Sequence, residues 1–362
     1  MFVTQHNIVH FLLTRGHVSA ASVIHRTCRV EDCSSRNRCF KVAFSDSSGI
    51  FVKQARQTDS ITKKCLEIEA ECLRLFARSS HGSTIASFVP DLVEYDEGRS
   101  ILCTTLISNS MSMRAMQLEN PEYRLPLAKA VGTVLAAFHV LPIEETTEQL
   151  PDAAHHRVPT LLHGRSLISS PADDPAGVYA RIQEYPEYVK LVRESTAYWH
   201  ADGLTHGDIR WDNILVVESQ TVPQVSIVDW ELAGIGDTAW DVAGVIQSYL
   251  IDWSANRLNT EELQILVREF LTSYLDVRGL PAEETTAYLR RAIIYSGCRL
   301  IQSTFEQHQF GTPLDSAGLG LLQLSWNILR DPVAVENDLL LIKHLLVSRQ
   351  GSNTLSSPER KR

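Results

Sequence analysis

The hydrophobic periodicity of the chain changes near residue 107. Before that point, four short stretches are rich in β-forming residues and are separated by turns: 38–44, 49–54, 88–95 and 100–107. Residues 58–78 lie between the two pairs and repeat their apolar residues with a period of about 3.6, which predicts a helix. With a short helical lead-in over residues 5–25, the pattern predicts a small antiparallel sheet and one helix.

The rest of the chain has mainly helical spacing. Residues 122–141 and 178–200 are predicted helices, and nearly all of the sequence from residue 238 onwards follows the same period. Residues 145–177 are rich in Pro, Asp, Ser and His and are predicted to form a long loop or insert. Two short β-branched runs lie between these parts of the chain, at 214–217 and 225–228.

The fold class predicted from these patterns is α+β. We expect a first lobe over residues 1–107, a helical second lobe over residues 108–348, and a disordered polar tail over residues 349–362.

Composition and charge exclude some partners. The 362 residues carry a formal net charge of −9, which argues against nucleic acid or an anionic membrane as the main partner. No apolar run approaches the ~20 residues of a membrane span, and the first residues do not resemble a signal peptide. The seven cysteines form no CxxC pair, which favours a reducing compartment. We therefore expect a soluble cytoplasmic protein.

One segment carries residue types that phosphoryl transfer requires. It runs from His206 through Gly207 and Asp208 to Asn213, and the next apolar run ends at Asp229. Phosphoryl transfer needs a carboxylate that accepts the proton of the attacking hydroxyl, and oxygen ligands that hold Mg²⁺. Asp208 suits the first role, while Asn213 and Asp229 suit the second. Two strands flanking one loop would bring these two ligands together.

These motifs resemble those of the aminoglycoside phosphotransferase and choline kinase family, which shares the protein-kinase fold. Two further segments match in the family's order, Leu135–His139 upstream and Gly236–Ala243 downstream. The resemblance implies a bilobal kinase-like fold, with nucleotide bound by the first lobe and the acceptor by the second. It also implies catalysis by Asp208, with His206 bracing the loop by hydrogen bonding.

The resemblance extends to the nucleotide. Lys53 matches the lysine that contacts the ATP phosphates, and Glu69 is predicted to pair with it, whereas Glu67 and Glu71 are expected to face solvent. No glycine-rich loop precedes Lys53, so the phosphate loop is assigned to Ser35 and Asn37 instead. Backbone groups at Thr105 and Ile107 are predicted to bind the adenine. The expected cofactors are ATP and Mg²⁺, with GTP as an open possibility.

The acceptor is left open by the sequence. Asp212 and Glu231 are candidates for the acceptor pocket, and Arg299 with the aromatic residues Trp253, Tyr295 and Trp326 could instead surround a bulky, less charged acceptor. A small-molecule hydroxyl is the first expectation. The alternatives are a kinase that phosphorylates Ser or Thr of a precursor peptide, and an inactive scaffold with a kinase fold.

Overall fold

The computed structural model describes residues 2–34, 37–55, 60–79, 82–151, 154–155, 158–163, 174–217, 223–309 and 312–342. Among these residues the chain divides into two compact units, each built from three stretches of sequence. The first unit draws on the ranges Met1–Glu119, Leu141–His155 and Trp211–Ile235. The second draws on the ranges Asn120–Val140, His156–Arg210 and Gly236–Arg362.

The first unit contains a five-stranded antiparallel sheet with the order β1-β2-β3-β5-β4. Its strands are β1 (Cys28–Asp32), β2 (Arg38–Phe44), β3 (Gly49–Gln54), β4 (Leu92–Asp96) and β5 (Ile101–Thr105). Four helices belong to the same part of the chain: α1 (Ile8–Thr14), α2 (Ala20–His25), α3 (Ser60–Arg78) and α4 (Gly82–Ile85).

The alternation of side chains along the strands gives this sheet two different faces. Val52 of β3 packs in an apolar cluster that includes Phe11 and Leu12 of α1. On the other face, Leu102 of β5 packs with Leu66 and other residues of α3. Lys53 follows Val52 and is paired with Leu102 in the sheet register, so it faces α3.

A second, three-stranded sheet completes the first unit. It consists of β6 (Ser110–Ser112), β8 (Ile214–Val217) and β9 (Gln224–Ile227), in the order β6-β8-β9. Helices α5 (Met113–Glu119) and α7 (Ile143–Gln149) lie in this unit as well. Because β6 pairs with β8, residues 108–119 and 211–235 join the first unit, which therefore extends past the boundary predicted near residue 107.

The second unit is mainly helical. Its helices are α6 (Arg124–His139), α8 (Val178–Gln183), α9 (Pro186–Ser195), α10 (Ala239–Ser254), α11 (Thr260–Arg278), α12 (Ala282–His308), α13 (Ser316–Arg330) and α14 (Pro332–Ala334). Strand β7 (Gly203–Thr205) lies in it, and β10 (Gly234–Gly236) crosses the boundary in sequence. Helix α6 packs closely on α11 at Gly132, where an added Cβ would lie 2.4 Å from the carbonyl oxygen of Phe270.

The predicted α+β class is confirmed, with local differences. Strand β1 was not predicted, because its residues are mostly exposed and charged and it is defined only by its pairing with β2. The helix predicted over 178–200 is broken into α8 and α9, since Pro186 cannot donate the hydrogen bond that would continue it. The segment predicted as a loop from residue 145 begins inside helix α7.

Two predicted features lie outside the described residues, Ser35 and the tail 349–362. Within the described part of the chain, no single helix has the length and apolar composition needed to cross a membrane. The broken pair 121–139 and 143–149 meets those criteria only when its two helices are taken together.

Candidate functional site

Lys53 lies at the centre of a cluster of carboxylates in the first unit. Its Nζ donates a hydrogen bond to Oε2 of Glu69 over 2.7 Å and also contacts Oδ1 of Asp229. Oε2 of Glu231 accepts from the same Nζ over 3.4 Å. The side chains of Lys53 and Glu69 are almost entirely shielded from solvent, whereas those of Asp229 and Glu231 are partly exposed.

The helical register of α3 selects Glu69 among three neighbouring acids. Glu69 lies on the buried side of the helix, next to Ile68 and Ala70. Glu67 and Glu71 are partly exposed and pair with Lys64 and Arg74 on the same helix. The contact expected between Lys53 and Glu69 is therefore present, while its role toward a nucleotide stays a prediction.

The cluster holds more negative than positive charge. Carboxylate oxygens of Glu69, Asp229 and Glu231 lie within 4.8 Å of one another around the single ammonium group of Lys53. Burial raises the pKa of Glu69 to about 7, even though Lys53 opposes this rise. Burial alone would lower the pKa of Lys53, but the three carboxylates raise it well above its usual value. Three crowded oxygen ligands with unbalanced charge suit a hard divalent cation such as Mg²⁺.

Asn37 adds an unused acceptor to the edge of this cluster. Its Nδ2 donates to Oε2 of Glu231 over 3.2 Å, and its side chain is buried. Its Oδ1 is buried without a hydrogen-bond partner among the described residues. A buried amide oxygen of this kind can accept a hydrogen bond from a water molecule, or it can itself be a ligand of a bound cation.

The β8–β9 hairpin places Asn213 and Asp229 at the same end of the second sheet. Ile214 is paired with Ile227, and the N–H of Val228 donates to the carbonyl oxygen of Asn213 over 3.0 Å. Asp229 follows directly, in a left-handed conformation with φ 72° and ψ 53°. Aspartate tolerates this backbone better than most residues, because its short polar side chain can form local hydrogen bonds. The side chain of Asn213 is buried.

The segment predicted to bind the adenine is partly used within the first sheet. The N–H of Thr105 donates to the carbonyl oxygen of Asp91 over 2.9 Å, and the N–H of Leu106 donates to that of Gly49 over 3.0 Å. The carbonyl oxygen of Ile107 accepts from the hydroxyl of Ser110. The adenine contacts of Thr105 and Ile107 stay predictions, and for Thr105 the N–H already has a partner.

In the second unit, Asp241 of α10 fixes the loop that carries Asp208. Its Oδ2 accepts from the N–H of His206 over 2.6 Å, and its Oδ1 accepts from the N–H of Gly207 over 3.0 Å. Burial would raise the pKa of Asp241, but His139, through its hydrogen bond and charge, and then His206 hold this pKa below its usual value. His206 accepts a hydrogen bond at Nδ1 from the N–H of Asp208 over 3.2 Å, a contact that suits the bracing role predicted for it.

Two arginines face the carboxylate of Asp208. Nη2 of Arg299, on α12, lies 3.7 Å from Oδ1, and Nε of Arg210 lies 3.4 Å from Oδ2. Arg210 also pairs with Glu306 over 3.2 Å. The carboxylate predicted to act as the base is therefore held between two guanidinium groups within its own unit.

Comparison with known proteins identifies the family. Residues 37–281, more than half of the chain, match the sequence profile of the phosphotransferase enzyme family. The chain belongs to this family. The resemblance predicted from the motifs is thereby confirmed, as is the class of enzyme. No curated protein matches the chain.

Several solved structures of kinases and phosphotransferases have a fold similar to that of this chain. They include an ethanolamine kinase from Plasmodium vivax, with a TM-score of 0.57, 14% identity and 92% of both chains covered. The GDP complex of a mutant aminoglycoside 2′-phosphotransferase-IIIa has a TM-score of 0.54 and 13% identity, with 92% of this chain and 99% of that one covered. The streptomycin–ATP complex of APH(2″)-IIa has a TM-score of 0.54 and 13% identity, with 91% of this chain and 99% of that one covered. The kinase-like fold predicted for this phosphotransferase is confirmed.

The residues proposed for an acceptor pocket are mostly engaged elsewhere in this phosphotransferase. Asp212 accepts two hydrogen bonds from Arg114, and Glu231 belongs to the cluster around Lys53. Tyr295 is buried and donates to Asp237. Trp326 packs edge-on against Tyr188. These two aromatic residues therefore have structural contacts that explain them without an acceptor.

Two residues of this phosphotransferase contact the loop around Asp208 although the sequence did not predict those contacts: Asp241, and Arg299, which was named only as a candidate near the acceptor. Asp241 lies in the Gly236–Ala243 segment that matched the family, so a sequence signal was present, but its bonds to the loop amides were not visible in it. Arg299 gave no signal for contact with Asp208, because 91 residues separate them in sequence and nothing in a helical repeat indicates which loop an inward side chain meets.

Proposed function

We propose that the protein is an ATP- and magnesium-dependent kinase that transfers the γ-phosphate to a hydroxyl group of a small molecule. The observation that carries the proposal is the cluster in the first unit that joins the buried Lys53 and Glu69 to the partly exposed carboxylates of Asp229 and Glu231. A surplus of carboxylate around one buried lysine is unfavourable by itself. A divalent cation bound by the carboxylates would offset this negative charge, and phosphate oxygens of the nucleotide would be held by that cation and by Lys53.

Four residues of the first unit then have specific roles. Lys53 binds phosphate oxygens of the nucleotide, and Glu69 orients Lys53 from the buried face of α3. Asp229 and Asn213 hold Mg²⁺ from the same end of the β8–β9 hairpin. The bound cation supplies charge neutralisation for the transferring phosphoryl group.

In the second unit, Asp208 orients the acceptor hydroxyl and accepts its proton. A base must be held in one position to contribute, and the hydrogen bonds that the amides of His206 and Gly207 donate to Asp241 supply that rigidity. His206 braces the turn at the N–H of Asp208. The nucleotide is ATP or GTP: one protein of similar fold was solved with ATP and another with the guanine nucleotide GDP.

The acceptor class is a small molecule that carries a hydroxyl. Relatives in fold are named for ethanolamine and for aminoglycosides, which supports a panel of amino alcohols and aminoglycosides as the first acceptors to test. Phosphate that appears on a peptide and on no small molecule would favour peptide modification instead.

The test compares nucleotide binding with turnover. Asp208→Asn should lower phosphate transfer by a factor of roughly 10²–10⁴, the usual contribution of a positioned base, while the Kd of Mg-ATP changes by less than about threefold. Glu284→Gln is the control, because Glu284 is an exposed acid at the start of α12. Equal turnover in Asp208→Asn and wild type would refute the assignment of the base. Tight binding of Mg-ATP by the wild type without turnover on any acceptor would favour the scaffold.

A further inference from the structure

Arg299 is a buried arginine whose hydrogen bonds converge on the loop around Asp208. It lies on α12 with 3% of its surface exposed. Its Nη2 donates to the carbonyl oxygen of Ile209 over 2.6 Å, and its Nη1 donates to that of Gly207 over 3.4 Å. One guanidinium group thus holds the backbone on both sides of Asp208 and faces its carboxylate over 3.7 Å.

Helix α10 leaves room for this arrangement at Gly244. A Cβ added there would lie 2.3 Å from the carbonyl oxygen of Ile209 and 3.1 Å from Cζ and Nε of Arg299. The first distance is shorter than any tolerated non-bonded contact, so any side chain at position 244 would displace the loop. The loop therefore packs directly on the backbone of α10, with the guanidinium of Arg299 beside the contact.

The guanidinium group is itself held in one orientation. Oε1 of Gln247 lies 3.5 Å from Nε, and the ring of Trp240 lies 5.1 Å from Cζ. Gln247 in turn donates to the hydroxyl of Ser303 over 2.5 Å. A planar fork with several donors is required to reach two carbonyl oxygens and a carboxylate at once, which the single ammonium group of lysine cannot do.

The charged groups around Arg299 also connect it to the loop that carries Asp208. Burial lowers the pKa of its guanidinium, and Asp208 is the strongest of the acids that oppose this effect, ahead of Asp241 and Glu306. A buried arginine without a full set of partners would destabilise the fold. Here the partners that satisfy it belong to the loop that carries the proposed base.

We infer that Arg299 is a positioning residue for Asp208: it fixes the two carbonyl groups beside this residue and so sets the place of the carboxylate that receives the acceptor proton. The inference rests on the proposed function for its chemical meaning. It does not require Arg299 to touch nucleotide or acceptor.

The experiment measures loop order and turnover separately. The variants are Arg299→Met and Arg299→Lys, with Arg291→Met as the matched control. Arg291 lies on the same helix and bonds to the buried Asp237, so its loss should also lower the melting temperature. Hydrogen–deuterium exchange reports on the amides of His206 and Gly207, which are bonded to Asp241. Release of inorganic phosphate from Mg-ATP, with water as acceptor, reports on turnover per folded enzyme.

Arg299→Met should speed exchange of these amides about tenfold or more, the factor expected from loss of a hydrogen bond to a charged group, and should lower phosphate release at least as much. The Kd of Mg-ATP should stay within about threefold of wild type, because the Lys53 cluster belongs to the other unit. Arg299→Lys should retain the fold better than Arg299→Met but restore loop protection only in part. Arg291→Met should leave loop exchange and phosphate release per folded enzyme unchanged.

Two results would refute the role inferred for Arg299, and a third would distinguish failure of the kinase function from failure of that role. Unchanged loop exchange in Arg299→Met, with a melting temperature as low as that of Arg291→Met, would reduce Arg299 to a structural residue. Faster loop exchange with unchanged phosphate release would refute the link to Asp208. If the wild type releases no phosphate, the proposed kinase function fails, while loop exchange still decides whether Arg299 orders the loop. Should the Arg299 variants not fold, Gly244→Ala tests the same contact from α10 with the same two readouts.

Discussion

Replacing Glu69 with glutamine is expected to change how the stability of the unliganded protein depends on pH. Burial raises the folded-state pKa of Glu69 from 4.5 to about 7, against the opposing effect of Lys53. In the unfolded chain the carboxyl titrates near its ordinary value. Because the folded-state pKa is the higher one, the folded state binds the proton more tightly. The resulting stability is fully present below the unfolded value and is lost as the pH rises through about 7.

The magnitude follows from the two pKa values. At about 1.4 kcal/mol per unit of pKa, the rise in the pKa of Glu69 from 4.5 to about 7 corresponds to about 3 kcal/mol of stability. Lys53 and Glu69 are both buried, so solvent does little to screen this effect. Glutamine keeps the shape of the neutral acid and cannot ionise. The free energy of unfolding of Glu69→Gln, minus that of the wild type, should therefore increase by about 2–3 kcal/mol between pH 5 and pH 8.

Urea unfolding followed by circular dichroism at several pH values, without magnesium or nucleotide, measures this difference. Glu67→Gln is the matched control, since Glu67 lies on the same helix in a partly exposed pair with Lys64, and its difference should vary by less than about 0.5 kcal/mol. A difference for Glu69→Gln that stays flat would refute the reasoning. So would one that falls with pH, because that is the behaviour of an acid that the lysine simply stabilises.

Two further substitutions test the proposed metal site and the packing of the second unit. Asp229→Asn keeps a residue type that tolerates the left-handed backbone but removes a charge from the cluster; calorimetry should show that nucleotide affinity no longer responds to magnesium, and an unchanged response would exclude Asp229 as a ligand. Gly132→Ala would place a Cβ 2.4 Å from the carbonyl oxygen of Phe270 and should lower the free energy of unfolding by about 1–3 kcal/mol. Its control is Gly320→Ala on α13, where a Cβ meets nothing within 4 Å; equal effects of the two substitutions in urea unfolding would contradict the packing argument.

Much of the first unit was predictable because its determinants are local. Strands β2 and β3 were predicted at the observed residues, since alternation and a turn between them are properties of adjacent residues. The choice of Glu69 over its neighbours followed from the helical period, which depends on the same few turns of chain. Strand β1 could not be predicted in this way, because its five residues have little apolar character and are ordered by pairing with β2.

The second unit shows where such reasoning ends. Arg299 and Gly244 lie on helices that were predicted as helices, yet their contacts depend on how α10 and α12 pack, and packing is not a property of either helix alone. Glu231 was named in the sequence analysis as a candidate residue of the acceptor pocket. The structure instead directs it to Lys53, because the turn after β9 determines where this side chain points.

The left-handed backbone at Asp229 limits what this position can hold. Only residues that tolerate positive φ fit there without strain: glycine, asparagine and aspartate. Of these, aspartate alone carries a negative charge. Glutamate would preserve the charge but would add backbone strain and extend the carboxylate by one carbon into a cluster already crowded by Glu69 and Glu231. The main-chain geometry at this residue admits three amino acids, and the negative charge proposed for the Mg²⁺ site leaves only aspartate among them.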